Sequence, residues 1–366
     1  MKLGFHSPFP PLRTGVADYS AALLAAMEQL RPDHVIVKNQ TGDRNLYHAG
    51  NNSLHREIYE CSLATPGVVM LHDAVLMHFL LGTLDKETFV EEFVYNYGEW
   101  HRQLAHDLWA GRARSAVESM YFRYPMLKRI ASEAQSVVVH NPEAAAIVRQ
   151  HAADARIVEI PHLFDPPAPP PAFEIARLRS SWNLKASDCL FAVFGHLRES
   201  KRILQVLRTF AQVRRAVPTA SLLLAGDFVS TDLARAAEPL LDAPGIIRLG
   251  YTPEEQFWLL AHACDVCINL RYPTAGETSG IGVRLLGIGK PVLFSQGLAV
   301  SRIPESACVR IDSGPAEEEM LRAVMVYLAR SPAARREMGR QAAEHTIAMH
   351  NPFRVASLFW DVLLSL

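Results

Sequence analysis

The sequence predicts an α/β protein built from two doubly wound, Rossmann-like domains, and three observations predict it. Short apolar runs alternate with longer amphipathic ones, the pattern of parallel strands joined by crossover helices. The alternation halts at Asp165-Pro166-Pro167-Ala168-Pro169-Pro170-Pro171-Ala172 and then restarts. The length, 366 residues, is too great for one ordinary core and comfortable for two.

In the first half, residues 2–6, 34–38, 67–72, 136–140 and 156–160 read as strands. Helical spacing of apolar residues marks 16–30, 54–63 and 142–151. The stretch 86–133 carries no strand signal and reads as a helical insertion, with outer limits near 83–133. The proline run that follows lacks N–H donors for a ladder and favours extended backbone, so it reads as a boundary. The expected division is 1–168, then 169–349, then a terminal helix over 350–366 that crosses back to the first domain.

Beyond the prolines, residues 189–194, 220–225, 245–249, 265–270, 291–294 and 308–311 read as strands. Helices are expected over 201–216, 253–263, 279–289, 316–329, 332–345 and 352–366. Two such domains facing one another put the carboxyl ends of their strands around a central cleft, where ligands of doubly wound sheets bind.

Charge narrows the partners. There are 37 basic and 38 acidic residues, a formal net charge of −1. Such balance offers no bulk attraction to nucleic acid or anionic lipid, so any anionic substrate must meet a local cluster. No run approaches the roughly 20 apolar residues of a membrane span. The opening residues lack a secretion leader pattern, so the expected location is cytoplasmic, with peripheral contact at the inner face of a membrane left open. Five scattered cysteines argue against a disulfide framework, and the Cys264/Cys267 pair, with no second pair to complete a metal set, reads as core.

Three loops after strands carry possible chemistry. In the first, Thr14 is a candidate cap and Gly15 leaves a helix start open to a diphosphate, or the segment is an ordinary capped helix. In the second, Phe194-Gly195-His196-Leu197-Arg198-Glu199-Ser200-Lys201-Arg202, a buried strand ends at glycine before two adjacent cations. Lys201 supplies a compact charge and Arg202 a fork suited to phosphate; the alternative is a solvated charge run paired with Glu199. In the third, Gly276-Glu277-Thr278-Ser279-Gly280 opens a helix that ends near Gly289. There Glu277 suits sugar or ribose hydroxyls, or merely the helix dipole, while Thr278 and Ser279 are capping candidates. The Gly280-Ile281-Gly282 pair is not a dinucleotide fingerprint, since it lies inside the helix and follows no first strand.

The second and third loops resemble the retaining glycosyltransferase family 4 of the GT-B fold. The Gly195-to-Lys201 spacing is similar to its phosphate loop, and the helix ending in Gly289-Lys290-Pro291-Val292 to its donor helix. The runs Gly50-Asn51-Asn52…His55, Val68-Val69-Met70-Leu71-His72-Asp73 and Gly276-Glu277-Thr278-Ser279-Gly280 resemble one bacterial branch of it. The Gly15 loop and the turn Pro161-His162-Leu163-Phe164-Asp165 also match in position, so the resemblance spans nearly the whole chain outside the insertion.

This resemblance implies sugar transfer from a nucleotide-diphosphate sugar to a saccharide or lipid-linked acceptor, with retention and without a metal or other cofactor. It implies His72 and Glu277 at the transferred sugar. Gly15, Gly195, His196, Lys201, Arg202, Thr278, Ser279 and Gly280 fall at the donor, and Asn51, Asn52, His55 and Asp73 on the acceptor side. Three positions depart from the family. Gly276 and Arg284 stand where its two glutamates are common, and His196 where an arginine is. A GT-B epimerase or phosphorolytic enzyme, or a binding protein without turnover, therefore stands as the alternative.

Overall fold

The strands of the computed structural model, which describes residues 1–12 and 14–366, form two six-stranded sheets whose pairings are all parallel. The first contains β1 (Lys2–His6), β2 (Val35–Lys38), β3 (Arg44–Ala49), β4 (Val68–Leu71), β5 (Ser136–Val139) and β6 (Ile157–Glu159). Their order is β2-β1-β3-β4-β5-β6. The second contains β7 (Leu190–Phe194), β8 (Ser221–Ala225), β9 (Ile246–Leu249), β10 (Val266–Asn269), β11 (Val292–Ser295) and β12 (Cys308–Ile311), in the order β12-β11-β10-β7-β8-β9. Each sheet reverses its winding once, between β1 and β3 in the first and between β7 and β10 in the second. In doubly wound sheets, ligand sites lie at the carboxyl ends of the strands at such reversals.

Two units result. One comprises residues 1–165, 273–278 and 349–366; the other comprises 166–272 and 279–348. The terminal helix Pro352–Leu364 starts at Asn351, whose side chain accepts from the amides of Phe353 and Arg354. Its apolar face buries Val355, Phe359 and Trp360 in the core of the first unit, and Trp360 Nε1 donates to the Met27 carbonyl at 3.2 Å. The insertion is helical as expected, with Lys86–Tyr97, Arg102–Ala110 and Lys128–Glu133 contributing Phe89, Phe93, Leu108 and Ile130 to one core.

Four elements differ from expectation, among them the helix Met77–Thr83. β3 was not anticipated, because Arg44, Asn45 and His48 interrupt its apolar run; yet its last five residues are buried. The helix Ala172–Ser181 begins directly after Pro171, and Thr231–Leu241 is capped by Ser230 and contains Pro239. Cys264 and Cys267 are core thiols: burial pushes Cys264 up to about 12 and Cys267 well above its ordinary range. Among the described residues no helix is long and apolar enough to cross a membrane.

Candidate functional site

In the second unit the reversal point falls between the ends of β7 and β10. Gly195 follows β7 with φ +75°, a conformation that side chains disfavour. A Cβ there would lie 2.8 Å from Ile281 Cδ1 and 3.2 Å from Lys201 Nζ. Glycine thus leaves the backbone directly over a buried ammonium, which donates to the Phe194 carbonyl at 2.6 Å. His196 is exposed beside it, and partial burial, then Arg198 and Lys201, lower its basicity.

Arg202, expected as a phosphate fork, is engaged within the second unit. It adopts a left-handed backbone, φ +59°, and turns its guanidinium onto Glu317, with Nε 2.9 Å from Oε1 and Nη2 2.6 Å from Oε2. Glu317 is 2% exposed, so its charge has to be met inside the fold. The partner of Arg202 is thus Glu317, not the neighbouring Glu199.

At the end of β10, Asn269 Nδ2 donates to Ser279 Oγ at 2.7 Å, and Arg271 Nη2 to the same oxygen at 3.0 Å. Ser279 Oγ also accepts from the Gly282 amide at 3.1 Å, capping the helix Gly280–Gly287. The Ser279 hydroxyl, expected at the donor, is buried and engaged in capping. Gly280 opens that helix. Gly282 is a packing requirement, since a Cβ would lie 2.7 Å from Asn269 Nδ2 and from Phe294 Cε1. Arg284 pairs with Glu254 at 3.0 Å and lies over Phe257 and Trp258.

In the first unit, Thr14 Oγ1 accepts from the Val16 amide at 3.0 Å and Gly15 is exposed at the start of the helix Gly15–Leu30. The loop 273–278 belongs to this unit. Gly276 has φ +70°, and a Cβ on it would meet Ala74 Cβ at 2.8 Å. That contact excludes a side chain at 276 in this conformation. Glu277 Oε2 accepts from the Ala275 amide at 2.8 Å and from Thr274 Oγ1 at 3.3 Å. Asn141 caps the helix Pro142–His151 and donates to the Gly276 carbonyl and Thr278 Oγ1, both at 2.9 Å. Thr278 is thus tied to Asn141 rather than serving as the cap.

The acceptor-side candidates separate. Asn51 pins its own loop: its amide donates to Asp73 Oδ2 at 2.9 Å, its Oδ1 accepts from the Phe79 amide, and its Nδ2 reaches His78. Asn52 is exposed and caps the turn Ser53–His55 through the Leu54 amide. His55 is fully buried, and its Nδ1 donates to the His48 carbonyl at 2.8 Å. Gly50 makes room for that ring, since a Cβ would lie 2.7 Å from His55 Nε2.

The carboxyl edge of the first sheet is lined with histidine. His6 ends β1, His48 lies in β3, His72 follows β4, His140 follows β5, and His162 comes three residues after β6. Parallel register brings these ends together: Ala49 lies opposite Leu71, and Leu71 opposite Val139. Tyr19 stands in their midst, edge-on to His72, His140 and His162 at centroid distances of 5.0, 5.2 and 4.9 Å. His72 Nε2 is 2.9 Å from His48 Nδ1. Burial, then neighbouring imidazoles, hold His48 and His72 well below ordinary histidine basicity, and burial lowers His140 to about 4. These rings are neutral at pH 7. No cluster of three or more His, Cys, Asp or Glu side chains among the described residues is arranged to hold a metal ion.

Tyr19, His48, His140 and His162 were not assigned from sequence. The signal for the three histidines was present: a histidine at or just beyond the end of strand after strand, which a parallel sheet must gather on one edge. It was hidden because β3 was not recognised.

Two Rossmann-like units with these strand orders define the glycosyltransferase B architecture. Among solved structures that share it are sucrose-phosphate synthase from Thermosynechococcus elongatus, with TM-score 0.71 and 14% identity over 100% of this chain and 98% of that one. HepE from Anabaena, in complex with UDP and glucose, gives 0.65 and 14% over the whole of both chains. WaaG, a glycosyltransferase involved in lipopolysaccharide biosynthesis, gives 0.63 and 12% over 99% of each. No protein-family model matches the sequence, and no curated protein matches it.

Proposed function

We propose that the protein is a retaining glycosyltransferase that moves a sugar from a nucleotide diphosphate to a saccharide or lipid-linked acceptor. The observation that carries this reading is Lys201, an ammonium buried under Gly195 at the reversal point of the second sheet. A diphosphate arriving over that glycine meets peptide amides and a positive charge without a side chain between. As the bond to the sugar breaks, negative charge develops on the departing phosphate, and preorganised charge is most effective there. Gly280, at the start of its helix, offers further N–H groups to the same anion.

In the first unit, the neutral polar edge suits sugar hydroxyls, with His72 and Glu277 as the groups that orient the transferred sugar. Gly15 adds an open helix start. No side chain stands out as a nucleophile, so the reading takes the acceptor to attack on the face from which the diphosphate departs. The HepE complexes with UDP and with UDP-glucose support a uridine nucleotide as the first donor to test.

Thermal-shift titration with UDP, GDP, ADP and their glucose conjugates tests binding, since a ligand that prefers the folded state raises its stability. One of these should raise the transition, and labelled sugar should then appear on an acceptor. Free epimer or sugar phosphate as the product would overturn transfer. Binding without consumption of any donor would identify a non-catalytic relative. Glu277→Ala and Lys201→Ala should each lower transfer roughly tenfold or more while the protein stays folded.

A further inference from the structure

We infer that His48 is a positioning residue that donates its Nδ1 proton to His72 Nε2, so that His72 presents its own Nδ1–H to an oxygen of the bound sugar. The inference rests on the reading of His72 as a sugar contact, and the ring chemistry behind it is independent of that reading.

The two facing nitrogens are 2.9 Å apart, and only one of them can carry the shared proton when both rings are neutral. Two neighbouring histidines show which arrangement this edge favours. His55 Nδ1 faces the His48 carbonyl at 2.8 Å, and His140 Nδ1 faces the Ile160 carbonyl at 2.9 Å. A carbonyl only accepts, so both rings carry their proton on Nδ1. Both leave Nε2 buried without a hydrogen-bond partner, as a bare lone pair.

His48 has the same pattern: a bonded Nδ1 and a buried, partnerless Nε2. Its ring is fully buried, stacked on Phe5 at 4.8 Å and near Tyr19 and Phe359. A proton on Nε2 would be an N–H donor with no acceptor. Orphaned buried N–H groups are rarer than under-satisfied acceptors. The proton therefore belongs on Nδ1, which makes His48 the donor and His72 Nε2 the acceptor. A neutral His72 must then hold its proton on Nδ1.

Neutrality has its own cause. His72 is faced by His48, His140, His55 and His162 as well as by Tyr19, and burial with those imidazoles disfavours a charge. Without His48, His72 would be free to exchange its proton between nitrogens and would offer the sugar a donor only part of the time.

Long-range nitrogen spectra of the full-length protein, with ring-labelled histidine and His72 assigned by its loss in His72→Gln, read this directly. Wild type should show His72 protonated at Nδ1 and bare at Nε2. His48→Leu, which fills the same apolar pocket, should mix the two forms. His48→Asn should restore the wild-type pattern, because its amide nitrogen falls near the place of Nδ1. With UDP-glucose as the probe, His48→Leu should lower kcat roughly five- to tenfold, the scale of one hydrogen bond, with KM little changed, and His48→Asn should recover most of it. A wild-type His72 protonated at Nε2, or a folded His48→Leu protein with unchanged spectra and kcat, overturns the inference. A wild-type protein with the expected tautomer that consumes none of the nucleotide sugars tested overturns the functional reading alone.

Discussion

The two sheets have the same strand number and the same parallel sense, yet their carboxyl edges carry opposite chemistry. The first is lined by histidines around a buried tyrosine, and burial keeps His48, His72 and His140 neutral. The second gathers Lys201, Arg202 and Arg271 beside glycine turns. A doubly wound sheet determines only where a site will be; the residues one step past each strand determine what it can take. Imidazole without charge suits a polyol, whose hydroxyls ask for hydrogen bonds and offer no net charge. An ammonium beneath bare backbone suits a diphosphate.

The sharpest difference between the edges is in their response to acid. His140, ordinarily near 6.5, sits at about 4 because burial disfavours its cation. Its folded-state value is depressed, so the unfolded chain binds more protons between those two values and stability rises with pH there. The contribution is fully present above about pH 6.5 and is lost as pH falls towards 4. For His140 alone it amounts to about 3 kcal/mol, and His48 and His72 act in the same direction. Denaturant titrations at pH 7, 6 and 5 should show the first unit losing stability ahead of the second. Equal losses in both units would erase the contrast.

Arg202 tests whether the second edge is all ligand site. Its pair with Glu317 joins a guanidinium with 23% side-chain exposure to a carboxylate with 2%. Arg202→Ala strands a buried charge and should cost about 3 kcal/mol. Combining it with Glu317→Leu should recover most of that loss and leave UDP affinity near wild type. A stable Arg202→Ala protein that no longer binds UDP would return Arg202 to the phosphate.

Lys201 should behave in the opposite way. Lys201→Met keeps the volume and removes the charge, so the fold persists while donor turnover falls between roughly tenfold and a hundredfold. Lys201→Arg should not rescue it, because a planar fork does not fit the space that holds an ammonium 2.6 Å from the Phe194 carbonyl. Initial rates of UDP release for the two variants decide the matter.

Most of the architecture was legible because parallel strands buried on both faces leave continuous apolar runs. β3 was not, since Arg44-Asn45-Leu46-Tyr47-His48-Ala49 is half polar; Asn45 is there to accept the Gly42 amide, and His48 to meet His72. The Gly195–Lys201 loop and the helix after Ser279 could be read because their parts are neighbours in sequence. The pairing of Arg202 was not legible because Glu317 lies 115 residues away, and no local pattern announces a buried carboxylate there. The histidine edge was unread for a related reason: its members are scattered over five strands, and one missing strand conceals the gathering.

The smallest effect concerns Tyr19, and it asks whether the histidine edge is complete in itself or made for something else. The ring is 3% exposed and its hydroxyl is buried without a hydrogen-bond partner. Burial also raises its pKa, so the hydroxyl stays neutral and keeps a proton with nowhere to go. An unsatisfied hydroxyl in an apolar place costs stability, and its removal is neutral or better. Tyr19→Phe keeps the edge-on contacts with His72, His140 and His162, so the protein should gain up to about 1 kcal/mol, a rise of about 2 °C in Tm. If transfer by the variant is also weakened, the hydroxyl is held ready for substrate at the expense of the fold, as functional sites commonly are. If Tm instead falls by a similar amount, the hydroxyl is satisfied within the first unit, and the edge is a packed core rather than a binding surface.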